Sequence, residues 1–416
     1  MTSREKILKA LNHEAGPVPM DFGSTPITGM HSSCVAALRD YYGLEKRRVK
    51  IHEPYQMLGL LEDDLLDALG VDTVGMEGLS TIFGFAPSDW KEWTTPWGQE
   101  VLVPGQFNVV QNEKGTYIYP QGDTSAAFSG HMPASGYFFD SIVRQPEIDD
   151  DNLNPEDNLE EFVLLTDEEV AQIKQFAEAA SAGGRAVVGA VGGTAFGDIA
   201  LVPAPFLKEP KGIRDIEEWY VSTVIRQDYI HEVFSRQTEI ALANLEKVQA
   251  VVGEMMDVIV ICGTDFGTQS GTFCSPDTYN ELWHPYYKQV NDWIHANTTW
   301  KTFKHSCGAV ENFMSLFIES GFDIINPVQC SAAGMEPQTL KDRYGDDLVF
   351  WGGGIDTQHV LPFGTPEEVR EQVRERCEIF SKNGGFVFDA IHNVQAKTPT
   401  QNIVAMVDAV HEFNGD

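Results

Sequence analysis

The sequence predicts a single parallel (β/α)8 barrel with a large insertion in its N-terminal half, and two observations lead to this expectation. From about residue 166 onward, short apolar runs rich in β-branched residues alternate with amphipathic helical segments, as in βα units around a parallel sheet. The 416 residues are enough to bury one large core, and they contain neither an internal repeat nor a low-complexity linker. We therefore interpret residues 1–416 as one domain.

The predicted strands are short apolar runs, each followed by a polar or glycine-bearing loop. They cover residues 71–76, 186–191, 258–262, 302–305, 323–328, 348–351 and 385–388. Helix starts are marked by a hydroxyl residue before a proline, because the free N–H groups of a first helical turn need side-chain acceptors. The three such pairs are Ser275-Pro276, Thr365-Pro366 and Thr398-Pro399.

Residues 80–165 interrupt this regular alternation and are interpreted as an insertion or lid. The stretch is rich in tryptophan, proline, glycine and acidic residues. Within it, residues 107–110 and 116–119 flank Asn112-Glu113-Lys114-Gly115, a sequence typical of a β-hairpin turn. We expect substrate identity to depend on this insertion.

Composition excludes several classes of function. The chain has 62 Asp and Glu residues against 29 Lys and Arg residues, a net charge of −33, so its surface would repel a nucleic-acid backbone. No apolar run approaches the roughly 18–20 residues of a membrane span, and no apolar signal-peptide block is visible. The six cysteines are too sparse for a disulfide scaffold. We expect a cytoplasmic protein with reduced thiols and no membrane or nucleic-acid partner.

A histidine and a cysteine at the end of one predicted strand are the most informative residues. His305 and Cys307 stand two residues apart, so both side chains point to the same side of the strand. Alone, such a pair is more often a packed histidine and a buried thiol. Cys330 and His392, however, follow later strands, and the carboxyl ends of barrel strands meet on one face. Four nitrogen and sulfur donors there predict a zinc site.

Two polar residues after the strand at 258–262 are predicted near the same rim. Asp265 is positioned to orient a ligand imidazole or to contact substrate, and a loop-capping role is an equal alternative. Gln269 is a second residue of the same kind. We take both as candidate catalytic residues.

Several longer segments resemble the uroporphyrinogen decarboxylase superfamily. In the C-terminal half these segments are HSCG, NPVQCSAAGM, FWGGGID, LPFGTPEEVREQV and GGFVFDAIHNVQAKTP, and DFGSTPITGMH at residues 21–31 resembles the start of a bacterial branch. The superfamily includes decarboxylases without a cofactor. It also includes zinc-dependent methyltransferases that exchange methyl groups between a corrinoid protein and a thiol. The resemblance implies a barrel fold and an enzyme.

The methyltransferase branch is the better match. Decarboxylases of the family resemble one another in an arginine-rich N-terminal stretch, whereas this chain has no arginine between Gly16 and Val35. The methyltransferases carry His-x-Cys on one strand and a third cysteine at the last strand. This chain has His305 and Cys307, with His392 at the third position and Cys330 as an addition. The resemblance implies a corrinoid (cobalamin) on a partner protein, because no Asp-x-His-x-x-Gly segment is present here.

Two alternatives stay open at this point. One is cofactor-free decarboxylation of a carboxylated substrate, which would need cationic side chains at the barrel rim. The other is a non-catalytic binding protein with a structural zinc, which four saturating protein ligands would favour. The sequence leaves open the small-molecule methyl donor or acceptor and whether His392 or Cys330 is the third firm ligand.

Overall fold

A computed structural model describes residues 1–415. Its strands are β1 (Val49–Glu53), β2 (Leu58–Gly59), β3 (Thr73–Gly75), β4 (Lys91–Thr94), β5 (Glu100–Val103), β6 (Val109–Asn112), β7 (Gly115–Ile118), β8 (Gly130–Pro133), β9 (Asp140–Ser141), β10 (Ala186–Gly189), β11 (Val258–Cys262), β12 (Lys301–His305), β13 (Ile324–Asn326), β14 (Val349–Trp351) and β15 (Phe386–Val387). Its α-helices are α1 (Ser3–Leu11), α2 (Ser32–Tyr41), α3 (Asp63–Leu69), α4 (Asp167–Ser181), α5 (Ile216–Ile225), α6 (Gln227–Val252), α7 (Pro276–Leu282), α8 (His284–Asn297), α9 (Met314–Glu319), α10 (Pro337–Tyr344), α11 (Val360–Phe363), α12 (Pro366–Phe380) and α13 (Thr400–Asn414).

The predicted helix starts are confirmed in two of three cases. The side chains of Ser275 and Thr365 accept hydrogen bonds from backbone N–H groups three residues later, as a helix cap does. At the third pair, Pro399 itself occupies the cap position of α13. The hydroxyl of Thr398 donates instead to the carbonyl of Gln395, so it stabilises the preceding turn and not the helix.

The parallel sheet has seven strands in the order β15, β14, β13, β12, β11, β10 and β3. A short extended segment closes it. Met20 forms a parallel bridge with Phe388, directly after β15, and the Asp21 N–H donates to the Phe388 carbonyl at 2.9 Å. On its other side, the Met20 carbonyl accepts from the N–H of Asp72, directly before β3, at 2.9 Å. Residues 19–21 therefore act as the eighth strand, and the molecule is the predicted (β/α)8 barrel.

Alternate residues of each barrel strand face the lumen and form an apolar cluster at its N-terminal end. Helix α1 closes that end. Its Arg4 pairs with Asp257 at 3.0 Å and its Lys6 with Asp72 at 3.3 Å, residues directly before β11 and β3. The lumen cluster contains Ile7, Ala10, Leu11, Ala186, Val188, Val258, Phe303, Ile324, Val349, Trp351 and Val387.

The insertion forms two four-stranded sheets with their own aromatic core. One sheet has the order β2, β1, β5, β4 and the other β6, β7, β8, β9. The first therefore also uses residues 49–59, which precede the predicted insertion. The predicted hairpin is present, with Asn112 paired to Gly115. Among residues 1–415, none of the helices has the length and apolar character of a membrane span.

Candidate metal centre

Three of the predicted ligands meet at the carboxyl ends of the barrel strands. His305 is the last residue of β12, Cys307 follows it by two residues, and His392 lies in the loop after β15. One donor atom from each lies within 4.8 Å of the other two. The Cys307 Sγ atom is 3.3 Å from His305 Nε2, and the two imidazole centroids are 5.4 Å apart. The barrel thus brings His392 next to Cys307 and His305, which precede it by 85 and 87 positions in the chain.

The His305 ring is held in one tautomer by a neighbouring strand. Its Nδ1 atom lies 2.5 Å from Oδ1 of Asn326, the last residue of β13. The Asn326 amide orientation is set because its Nδ2 donates to the Trp351 carbonyl at 2.9 Å. The Nδ1 atom of His305 must therefore be the donor, which leaves a lone pair on Nε2. That lone pair points to the side of the ring where Cys307 lies.

His392 is held differently. It has a φ of 70°, an uncommon conformation for a residue with a side chain, and the loop is therefore strained at this point. The N–H of Asn393 donates to Nδ1 of His392 at 2.9 Å, so the neutral ring carries its own proton on Nε2. To bind a metal, His392 must give up either this hydrogen bond or that proton. Of the three candidate ligands, it is therefore the least prepared for a metal.

Asp265 contacts the same group, as predicted from its place after β11. Its Oδ1 atom accepts the N–H of Cys307 at 2.6 Å and lies 3.8 Å from His305 Nε2. Gln269 is exposed and further away. Its Oε1 accepts from Gln329 Nε2 at 2.9 Å, and Gln329 in turn accepts the N–H of Gly308 at 2.8 Å. Gln269 therefore supports the loop next to the ligands.

Cys330 is not brought into this group. Its thiol donates to the carbonyl of Val328 at 3.2 Å. Val328 has a φ of 57°, so the chain turns sharply after β13 and carries Cys330 away from the ligands. The charged side chains that influence its pKa include Arg376 and Glu375 of α12, on the outside of the barrel. Burial raises the pKa of this thiol to about 12.

Burial dominates the protonation of the site. It lowers the pKa of His305 and of His392 to about 4, so both imidazoles are neutral and able to bind a metal at pH 7. It raises the pKa of Cys307 well above its usual range, and the neighbouring Asp265 adds to the rise. Without a cation the cysteine is therefore a thiol. Binding of a metal would release its proton, because metals bind the thiolate.

The donor set fits zinc. Two imidazoles and one thiolate match the ligand preference of Zn²⁺ and differ from the oxygen ligands of Mg²⁺ and Ca²⁺. Three protein donors also leave a position for substrate, as in catalytic zinc sites.

Two residues near the candidate metal centre, Asn326 and Asp198, were not predicted from the sequence. Asn326 gave a signal, because it is a polar residue within the apolar predicted strand 323–328. Asp198 lies in the loop after β10 and gave none. Burial raises the pKa of the Asp198 carboxyl to about 6. Hydrogen bonding opposes this rise, and the charge of the nearby Asp265 adds to it.

Comparisons with known proteins agree with this architecture. A family model described as uroporphyrinogen decarboxylase (URO-D) matches residues 146–413. The uroporphyrinogen decarboxylase of Pseudoalteromonas translucida (strain TAC 125) is 23% identical over 213 residues, which are 47% of this chain and 57% of that protein. The enzyme of the same name from Psychromonas ingrahamii is 31% identical over 108 residues, 24% of this chain and 30% of that protein. The matches thus span 57% of the first relative's length and 30% of the second's.

A methyltransferase from Methanosarcina mazei is similar in structure along its whole length. The two chains superpose with a TM-score of 0.57 over 99% of each, at 14% sequence identity. At that identity the likeness is one of fold.

Proposed function

The chain belongs to the uroporphyrinogen decarboxylase family, and from this premise we propose that it is a zinc-dependent methyltransferase. It would move a methyl group between a corrinoid carried by a separate protein and a thiol or other small acceptor. One observation carries the proposal: donor atoms of His305, Cys307 and His392 lie within 4.8 Å of one another at the mouth of the barrel. The fold shared with a methyltransferase supports it.

The residues of this chain would divide the work at the site. His305 and Cys307 would hold the metal, with Asn326 fixing the His305 tautomer and Asp265 fixing the backbone of Cys307. His392 would be the exchangeable ligand and, when released, could hold a proton near the reacting group. Zinc bound there would supply Lewis-acid activation of an acceptor thiol near neutral pH.

The N-terminal segment supports methyl transfer over decarboxylation. In the stretch without arginine, the lumen-facing residue is Asp21, whose carboxylate accepts from Thr73 at 2.6 Å and from Trp351 at 3.0 Å. The segment therefore offers no arginine to a substrate rich in carboxylates, and its Asp21 is fully buried. The names of the curated relatives favour decarboxylation as the second candidate.

The test is a spectroscopic assay with purified protein. Methylated corrinoid proteins would be mixed with the protein and with candidate thiols, and the visible spectrum of the corrinoid followed with and without a chelator. We expect demethylation that a chelator abolishes and that added zinc restores. Decarboxylation of uroporphyrinogen that persists after metal removal would replace methyl transfer with the second candidate.

A further inference from the structure

Lys304 is the penultimate residue of β12, and its side chain is completely buried. Its neighbour Phe303 belongs to the lumen cluster, so Lys304 points outward into the layer between barrel and helices. Its Nζ atom lies 4.9 Å from the ring centroid of Phe266, 5.4 Å from that of Phe317 and 5.9 Å from that of Tyr287. A full positive charge in such an aromatic layer is costly unless its hydrogen bonds are satisfied.

The ammonium group donates hydrogen bonds to two backbone carbonyls and forms no ion pair within residues 1–415. Nζ donates to the Thr264 carbonyl at 2.6 Å and to the His305 carbonyl at 2.7 Å. Thr264 directly precedes Asp265, and His305 is a proposed metal ligand. A single cation therefore ties the carboxyl end of β12 to the loop that follows β11, the two segments that carry Asp265, His305 and Cys307.

The positive charge of Lys304 also acts on two carboxyl groups near the candidate metal centre, those of Asp198 and Asp265. Asp198 is buried, the side chain of Asp265 is 23% exposed, and neither forms an ion pair with a lysine or arginine of residues 1–415. The positive charge of Lys304 opposes the rise that burial causes in the pKa of the Asp198 carboxyl.

We propose that Lys304 is a positioning residue of the metal centre, acting through the carbonyls of Thr264 and His305. The inference rests on the metal site of the proposed function. A neutral side chain here should weaken zinc binding about 10- to 100-fold, as loss of other supporting groups around metal ligands does. Zinc affinity should fall although every ligand is still present.

The chain offers a matched control in Lys341 of α10. It too is almost buried, donates to a backbone carbonyl, that of Gly384, at 2.7 Å, and lies 5.9 Å from an aromatic centroid, that of Phe350. Gly384 lies two residues before the start of β15, at the opposite end of the barrel from the metal centre. Lys341→Met therefore reproduces the loss of a buried, carbonyl-bonded ammonium without touching the metal centre.

The experiment compares Lys304→Met, Lys304→Gln and Lys341→Met with the wild type. Zinc affinity is measured by competition with a chromophoric chelator, the sulfur-to-cobalt band is recorded after Co²⁺ loading, and thermal unfolding reports stability. We expect all three variants to unfold at lower temperature, and only the Lys304 variants to bind zinc more weakly and shift the cobalt band.

Each other outcome is decisive. Wild-type affinity and an unchanged cobalt band in a folded Lys304 variant would overturn the inference, as would an equal loss of affinity in Lys341→Met. If neither Lys304 variant folds while Lys341→Met does, the residue is required for folding and the positioning role is rejected. If the wild type itself binds no zinc, the metal centre of the proposed function is wrong, whatever Lys304 does.

Discussion

The two ends of the barrel lumen differ sharply in chemistry although the same strands build both. At the N-terminal end, Ile7 and Leu11 of α1 pack against apolar strand residues such as Phe303. At the C-terminal end, the lumen holds His305 and Asn326, joined by a hydrogen bond. The change from apolar to polar side chains takes only two residues along a strand, because side chains two residues apart face the same side.

Three strands show this step directly. Phe303 is followed two residues later by His305, Ile324 by Asn326, and Val387 by Asp389. We call the first residue of each pair the lower layer and the second residue the upper layer. The lower layer contributes hydrophobic burial, and the upper layer contributes hydrogen-bond donors and acceptors. Substitutions in the two layers should therefore affect different properties, stability in the first and metal binding in the second.

The largest effect is expected from Phe303→Ala in the lower layer. The ring is fully buried and lies 5.5 Å, centroid to centroid, from Trp351. Its loss should lower the free energy of unfolding by about 3–5 kcal/mol, since the packed lumen cannot collapse around the cavity. Urea denaturation of metal-free protein measures this. Phe363→Ala, at an 83% exposed position, is the control and should be nearly neutral.

Cys307→Ala, next to the upper layer, should act on the metal instead. Removing the only thiolate among the three donors should weaken zinc binding about a thousandfold, roughly 4 kcal/mol, so that the purified variant no longer carries stoichiometric zinc. Elemental analysis checks the metal content. A variant that keeps its zinc would remove Cys307 from the ligand set.

The upper layer should also give metal-free protein a pH dependence. Burial lowers the His305 pKa from its ordinary value near 6.5 to about 4. Between these values the unfolded chain binds the proton more readily, so stability contributed by the neutral ring is present at pH 7 and lost as the pH falls to 4. The loss should be about 3 kcal/mol for this histidine.

Urea denaturation at several pH values isolates this term as the difference between wild type and His305→Gln. The comparison is needed because buried acids such as Asp389, whose pKa burial raises, act in the opposite direction. Equal slopes for the two proteins would contradict the buried, neutral state of His305.

A smaller effect is expected at Asn326, which contacts the ligand and not the metal. Asn326→Ala removes the acceptor of the His305 Nδ1 proton, so the ring loses its fixed tautomer. Zinc binding should weaken about 10- to 100-fold. Chelator competition measures it, and Asn326→Asp, which keeps the acceptor, should retain most of the affinity.

The smallest effect is expected at Cys330. Its thiol bonds to the Val328 carbonyl and lies outside the ligand group, so Cys330→Ser should leave zinc content unchanged. Loss of zinc in this variant would restore the four-ligand site that the sequence suggested.

Local patterns in the chain were sufficient to place most of the barrel strands and one pair of candidate ligands. The predicted segment at 258–262 coincides with β11, and the one at 302–305 matches β12 to within one residue. The positions of His305 and Cys307 follow from that assignment. Such features depend on neighbours within a few residues, through side-chain alternation and capping, and are therefore visible in an isolated sequence.

Contacts between distant segments decided the rest. Residues 19–21 become a strand only because β15 and β3 leave a gap that their backbone fills. Cys330 and His392 both follow strand ends, and only the course of each loop separates the outlying thiol from the convergent imidazole. The His305 tautomer depends on Asn326, and the burial of Lys304 on rings from three other segments. No local pattern encodes these contacts, because each requires the closed barrel to bring the partners together.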